Sequence, residues 1–159
     1  MTRRRVVLVI AVAVFVFGLD RITKLLVETN LPVGGSVDVV GQWLRISHVT
    51  NTGAAFGLLP ERTTLLSILS VGAVLAIVFY YRRLAADSRL IAATLGMQLG
   101  GAFGNLIDRI GQGYVVDFVD VYWRGWHFWA FNVADAAITV GVAILIVDLL
   151  RPAQPAPAA

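Results

Sequence analysis

The chain has no cysteine, which excludes disulfides, thiolate nucleophiles and cysteine-ligated zinc. Its two histidines, His48 and His127, stand far apart without metal-ligand spacing. No metal site is expected, and both rings read as structural or interfacial. Lysine occurs once, at Lys24. A Ser–Lys dyad would have to use it, and the serines on that side, Ser36 and Ser47, have no distinctive context. Charge is scarce as well: 14% of the 159 residues are charged and 58% are hydrophobic, against about 25% charged in ordinary globular domains. A soluble chain of this size leaves about a third of its extended surface in water, too much for so apolar a composition. A water-soluble domain and a disordered chain are both excluded. The net charge of +3 invites a nucleic-acid partner, but the basic residues are not patterned for one, and none is expected. The composition is that of a membrane protein.

Four stretches are nearly free of charge: 6–19, 63–81, 90–107 and 125–147, the last interrupted only by Asp135. About 20 residues at 1.5 Å each cross a bilayer. The last three stretches suffice directly, and the first reaches full length by running on through Asp20 and Lys24. The fold expected is mainly α: four transmembrane helices, at about 6–26, 63–81, 90–107 and 128–148, with a small extracytoplasmic β-sheet between helices 1 and 2. The sheet is read from VDVV (37–40) and WLRISHV (43–49), which alternate as strands do around a Gly41-Gln42 turn. Residues 1–150 form one membrane domain, and the Pro/Ala-rich 151–159 is read as a disordered cytoplasmic tail. MTRRR before an apolar run is also the pattern of a secretory signal; no small-x-small site follows Gly18, so the segment is read as retained. Seven arginines (Arg3, Arg4, Arg5, Arg82, Arg83, Arg89 and Arg151) fall on one side of these spans, which puts both termini in the cytoplasm.

The acids are distributed unevenly. Asp20, Glu28, Asp38, Glu61, Asp108, Asp117, Asp120 and Asp135 fall on the outer side or at outer helix ends, and only Asp87 and Asp148 on the inner side. Ionisable groups in or beside a span cost about 2.5–3.5 kcal/mol at a helix centre on the cheaper scales, so a cluster at one depth asks for a functional explanation. Asp20 and Lys24 have the spacing of a plain helix ion pair. Asn105, Asp108 and Arg109 share one face at the outer end of the third span, where Asp108 opposes the helix dipole and Arg109 is the expected compensation. Asn132 and Asp135 repeat the Asn-x-x-Asp spacing at the start of the fourth, where helix capping explains them equally well. Gly96, Gly100 and Gly104, spaced by four, are read as a close-packing face. Asp117 lies among β-branched and aromatic residues in YVVDFVDVYW, a setting that desolvates a carboxyl and raises its pKa. In an extended chain Asp117 and Asp120 point to opposite sides. Two carboxyls sharing one proton around a water are the arrangement of an aspartyl hydrolase.

Five blocks carry a family resemblance: LDRITK (19–24), NTGAAFG (51–57), GGAFGNLIDR (100–109), VVDFVD (115–120) and FNVADAAI (131–138). In this order and at these depths, the sequence resembles the type II (lipoprotein) signal peptidases of bacteria. The resemblance implies an intramembrane aspartyl endopeptidase of the bacterial cytoplasmic (inner) membrane. Its substrates would be diacylglyceryl-modified prolipoproteins, cut just before the lipid-modified cysteine. The partners implied are those prolipoproteins and membrane lipid; no cofactor and no oligomer are required. Carried over by position, the catalytic pair is Asp117 and Asp135. Asp20, Asn51, Asn105, Arg109 and Asn132 fall on pocket positions, and the outer segment becomes a β-cradle with a loop over the site. A small four-helix proton carrier, the competing class, would place its acids at mid-depth in pseudo-symmetric halves. Here they gather near one face, and no internal repeat is visible.

Overall fold

The computed structural model describes residues 2–41, 43–53, 62–84, 88–124 and 126–150. Among the described residues, four helices, α1 (Arg3–Asn30), α2 (Thr63–Leu84), α3 (Arg89–Gln112) and α4 (Val133–Leu149), and four strands, β1 (Ser36–Val40), β2 (Leu44–Asn51), β3 (Val115–Trp123) and β4 (Trp126–His127), follow in the order α1-β1-β2-α2-α3-β3-β4-α4. The tail, Glu61, Asp87 and Gln42 of the expected turn lie outside the described residues. Gly41 takes the left-handed φ of 47° beside that turn, a conformation glycine adopts without Cβ strain.

The sheet departs from the expectation. Its order is β1-β2-β3-β4, all antiparallel, so it is built from two connections rather than only the one between α1 and α2. The β-branched and aromatic run 115–123 supplies the strand that pairs with β2. α4 also starts later than expected. Phe131 pairs with Val119 in the sheet, and Asn132 caps the helix, so 128–131 are not helical. α1 runs to Asn30, four residues past its expected end.

Two helices, Arg3–Asn30 and Arg89–Gln112, are long and apolar enough to cross a membrane; a shorter apolar stretch of α2 covers Thr63–Ile77, and α4 has 17 residues. Large apolar side chains stand exposed along α1, Val14 and Phe15 among them, and along α2 at Ile68 and Leu75. Asp20, Lys24, Asn105 and Asp108 are buried. This inversion suits a lipid solvent, since water-soluble monomers rarely expose contiguous apolar patches above a few hundred Å².

α3 is the central helix. A methyl group added at Gly96 would stand 2.7 Å from the Val9 carbonyl oxygen, and one at Gly100 would stand 2.5 Å from that of Ala13. The glycine stripe therefore brings the backbones of α1 and α3 together, as its spacing predicts. Gly101 makes the same approach to Ala134 at the start of α4. Val27, Val116 and Phe118 form the cluster that seats the sheet on the end of α1. At that end α1 and α3 finish and α4 begins, so the late residues of two helices and the first turn of a third converge beneath β2 and β3.

Candidate active site

Local folding of α3 and α4 follows from the sequence. Ser88 caps α3 by accepting from the Ile91 N–H, and Gly113, at a left-handed φ of 82°, closes its C-terminus. Asn132 and Asp135 form a capping box on α4: Asn132 Oδ1 accepts from the Asp135 N–H at 2.9 Å, and Asp135 Oδ2 accepts from the Asn132 N–H at 3.4 Å. The capping reading is thus correct for half of the Asn132 amide. The other half, Nδ2, donates to Asp117 Oδ1 at 2.7 Å. One asparagine side chain therefore starts a helix and ties the carboxyl of Asp117 on β3 to the turn that carries Asp135.

Two more asparagines complete the cradle. Asn51, the last residue of β2, donates from Nδ2 to Asp117 Oδ2 at 2.8 Å. Asn105 on α3 donates from Nδ2 to Asp135 Oδ1 at 2.8 Å. Asp117 is 2% exposed. Its pKa is pushed up to about 7, first by burial and then by the charge of Asp135; the bonds from Asn51 and Asn132 pull the other way without cancelling them. A carboxyl raised that far, beside another carboxyl, keeps a proton within the pair near neutral pH.

Beneath the pair lies a second network. Lys24 is buried; its ammonium donates to Asp108 Oδ2 at 2.6 Å and Asn105 Oδ1 at 2.9 Å and forms an ion pair with Asp20 Oδ2 at 2.7 Å. Arg21 binds the other oxygen of Asp108. The charge facing Asp108 thus comes from α1, correcting the expectation that Arg109 compensates it. Two cations, Lys24 and Arg21, balance two anions, Asp20 and Asp108. Asp20 Oδ1 also accepts from the Ala134 N–H at 3.0 Å, placing its negative charge at the N-terminus of α4. Asp20 and Lys24 are therefore more than a helix surface pair: they join three helices.

Arg109 lies apart from these ion pairs. It donates to the carbonyls of Gly53 at 3.2 Å and Asn105 at 3.5 Å, and its buried Nε has no partner among the described residues. Its guanidinium lines a groove of about 410 Å³ between α2, α3 and α4, together with Asn105 and Asp135. The groove thus offers the Asp135 carboxyl, a cation with donors to spare and an apolar floor.

Asp120 stands in a site of its own. Arg45 Nε donates to its Oδ2 at 2.6 Å and Ser47 Oγ at 3.3 Å, and His127 Nδ1 lies 3.0 Å from Oδ1. Burial pushes its pKa up, but the bonds and charges of His127 and Arg45 outweigh this and hold it below the usual value. It is 5% exposed, buried in the sheet. Arg45 and Asp120 are directly opposite on β2 and β3, so the pair pins the sheet register. His48 binds the Leu31 carbonyl at 2.8 Å, a structural role, as expected.

All seven residues singled out in the sequence, Asp20, Asn51, Asn105, Arg109, Asp117, Asn132 and Asp135, meet at this end of the molecule. Lys24 and Arg21 were not among them as site residues. Their signal was the single lysine one turn from Asp20, and the unbalanced charge of Asp108.

Comparison with known proteins gives one answer. The family model described as signal peptidase (SPase) II matches residues 12–151. The lipoprotein signal peptidase of Solibacter usitatus is 45% identical over 153 residues, covering 91% of this chain and 92% of that one. That of Geobacter sulfurreducens is 43% identical over 136 residues, covering 84% and 85%. A solved bacterial membrane enzyme superposes with a TM-score of 0.82 at 34% identity, covering 89% of this chain and 87% of that one. A second solved bacterial membrane enzyme gives 0.80 at 34% identity, covering 91% and 94%. With a match that runs through every element bearing the carboxyl pair and its asparagine cradle, the chain belongs to the signal peptidase II family.

Proposed function

We propose that this protein removes the signal peptide from diacylglyceryl-modified prolipoproteins, with Asp117 and Asp135 as the catalytic pair. Cleavage falls just before the lipid-modified cysteine. Membership of the signal peptidase II family supports the removal of prolipoprotein signal peptides. The observation that carries the assignment of the pair is Asn132, whose side chain and backbone N–H bond the carboxyls of Asp117 and Asp135 respectively. One carboxylate takes the proton of an attacking water while the other, protonated, donates to the scissile carbonyl. The two titrate as a pair, so the roles are a property of the pair. Arg109, with donors to spare, binds substrate carbonyls or the developing oxyanion. In this reading all four helices span the bacterial cytoplasmic membrane, both termini are cytoplasmic, and the sheet and carboxyl pair lie at the outer face. The substrate's acyl chains stay in lipid, where burial of about 0.8 kcal/mol per CH₂ localises it.

The test is incubation of purified protein with a diacylated prolipoprotein, following loss of the signal peptide. Asp117→Asn and Asp135→Asn each keep the shape and remove an ionisable proton, so turnover is expected to fall by about 10²–10⁴-fold or more while substrate still binds. Asp120→Asn, outside the cradle, keeps substantial turnover. Full activity in either Asp117→Asn or Asp135→Asn ends the aspartyl mechanism.

A further inference from the structure

The groove that starts at Asp135, Asn105 and Arg109 continues down α3 past Ala102 to Gln98. Gln98 is 8% exposed, and its Nε2 has no hydrogen-bond partner among the described residues. α4 leaves room for this side chain: a methyl group at Gly141 would stand 2.8 Å from Gln98 Cγ and 3.2 Å from its Nε2. Gln98 and Asn105 are seven residues apart on one helix. They therefore share a face and are separated by about 10.5 Å along the axis. A buried amide donor without an acceptor is costly, and here it lines a groove that reaches Asp135 of the carboxyl pair.

We propose that Gln98 Nε2 is a specificity-determining donor for the substrate polypeptide, binding a main-chain carbonyl of the signal segment upstream of the scissile bond. This rests on the carboxyl pair being the point of cleavage. The occupant follows from what each part of such a substrate offers. An acyl chain has no acceptor along its length, and its ester stays near the lipid-modified cysteine, at the level of the pair. A helical apolar segment satisfies its own carbonyls except the last four. Those four become orphans where the helix opens into the extended stretch that reaches the pair, in a medium without water to satisfy them. An orphan donor and orphan acceptors then meet at the same depth. At about 3.3 Å per extended residue, that depth is about three residues upstream of the cut.

The experiment uses synthetic diacylated signal peptides in which one backbone amide at a time, two to six residues upstream of the cut, is replaced by a thioamide, whose sulfur is a weak acceptor. Full-length protein is compared with Gln98→Leu and, as a second donorless side chain of similar length, Gln98→Met. With the all-amide peptide both variants are expected to raise KM by about fivefold to tenfold, the scale of one neutral hydrogen bond, with kcat within about twofold. A thioamide at one position near the third residue upstream raises KM similarly in the native protein and adds nothing in the variants. Thioamide profiles that superimpose in native and variant proteins overturn the proposal. So does a variant defect that follows acyl-chain length instead of carbonyl position. If the native protein cleaves none of the peptides, it is the underlying assignment of function that fails.

Discussion

At the scale of the residue, Asp117 is the most consequential side chain, because its environment opposes its charge. Its pKa of about 7 in the folded protein stands against 3.8 for the unperturbed carboxyl. A group raised in this way binds its proton more tightly when folded. Its contribution to stability is therefore complete below the unfolded value and is lost as the pH rises through the folded one. Melting temperature in detergent is expected to fall between about pH 4 and pH 8, and Asp117→Asn to flatten that fall and melt higher at pH 8. Parallel curves for the two proteins would contradict a buried, raised carboxyl. If the pair is catalytic, turnover measured against pH is expected to follow the same proton and to decline as the pH passes about 7. Arg109 gives a second residue-scale prediction. Its planar fork reaches two carbonyls and still has a free buried Nε, a geometry that lysine's point charge does not reproduce. Arg109→Lys is expected to insert and accumulate normally but to lose about tenfold or more in kcat/KM. Wild-type kinetics would remove the clamp role.

At the scale of the element, the site depends on how closely α1 and α3 approach. A methyl group at Gly100 would stand 2.5 Å from the Ala13 carbonyl oxygen, and one at Gly104 would stand 2.7 Å from Asp20 Oδ2. Backbone cannot yield as a flexible side-chain tip can. Gly100→Ala is expected to cost about 1–3 kcal/mol by overpacking, measured as a lower midpoint of unfolding in detergent. It should also lower turnover, because the α1–α3 separation sets where Lys24 reaches Asn105. By contrast, alanine at Gly111, which has nothing within 4 Å, is expected to leave both unchanged. Equal effects at the two positions would mean that the stripe does not set the spacing. The elements also explain which expectations held. The strands at 36–40 and 44–51 were legible because their alternation of side chains is local. That β3 joins them was not, because pairing partners are chosen by tertiary contact and not by the sequence of either strand.

For the whole molecule, the prediction is topological. Apolar side chains cover the outside of α1 and α2, while the charged network is gathered at one end. Reporter fusions are expected to place the termini and Arg82-Arg83 in the cytoplasm and residues 30–60 outside. An external Arg82-Arg83 would invert the molecule and with it the face from which substrate enters.

The sequence by itself determined the solvent, the number of helices, the strand character of 115–123 and the set of polar residues that meet at the carboxyl pair. These follow from composition, from runs of apolar residues and from short blocks, all of which are read locally. Asp117 and Asp120 sit in nearly identical surroundings along the chain; the family resemblance picks out Asp117, and the fold supplies the physical difference. In β3 they point to opposite sides, one into an asparagine cradle and the other onto Arg45 and His127. The balancing of Asp108 by α1, the bonding of Lys24 to Asn105 and Asp108 and the unpartnered Gln98 were likewise decided by tertiary structure. Each joins, or leaves unjoined, groups more than 70 residues apart or on different helices. In a low-dielectric interior the energy of a polar group is set by what faces it across that gap, and no local pattern in the chain encodes that.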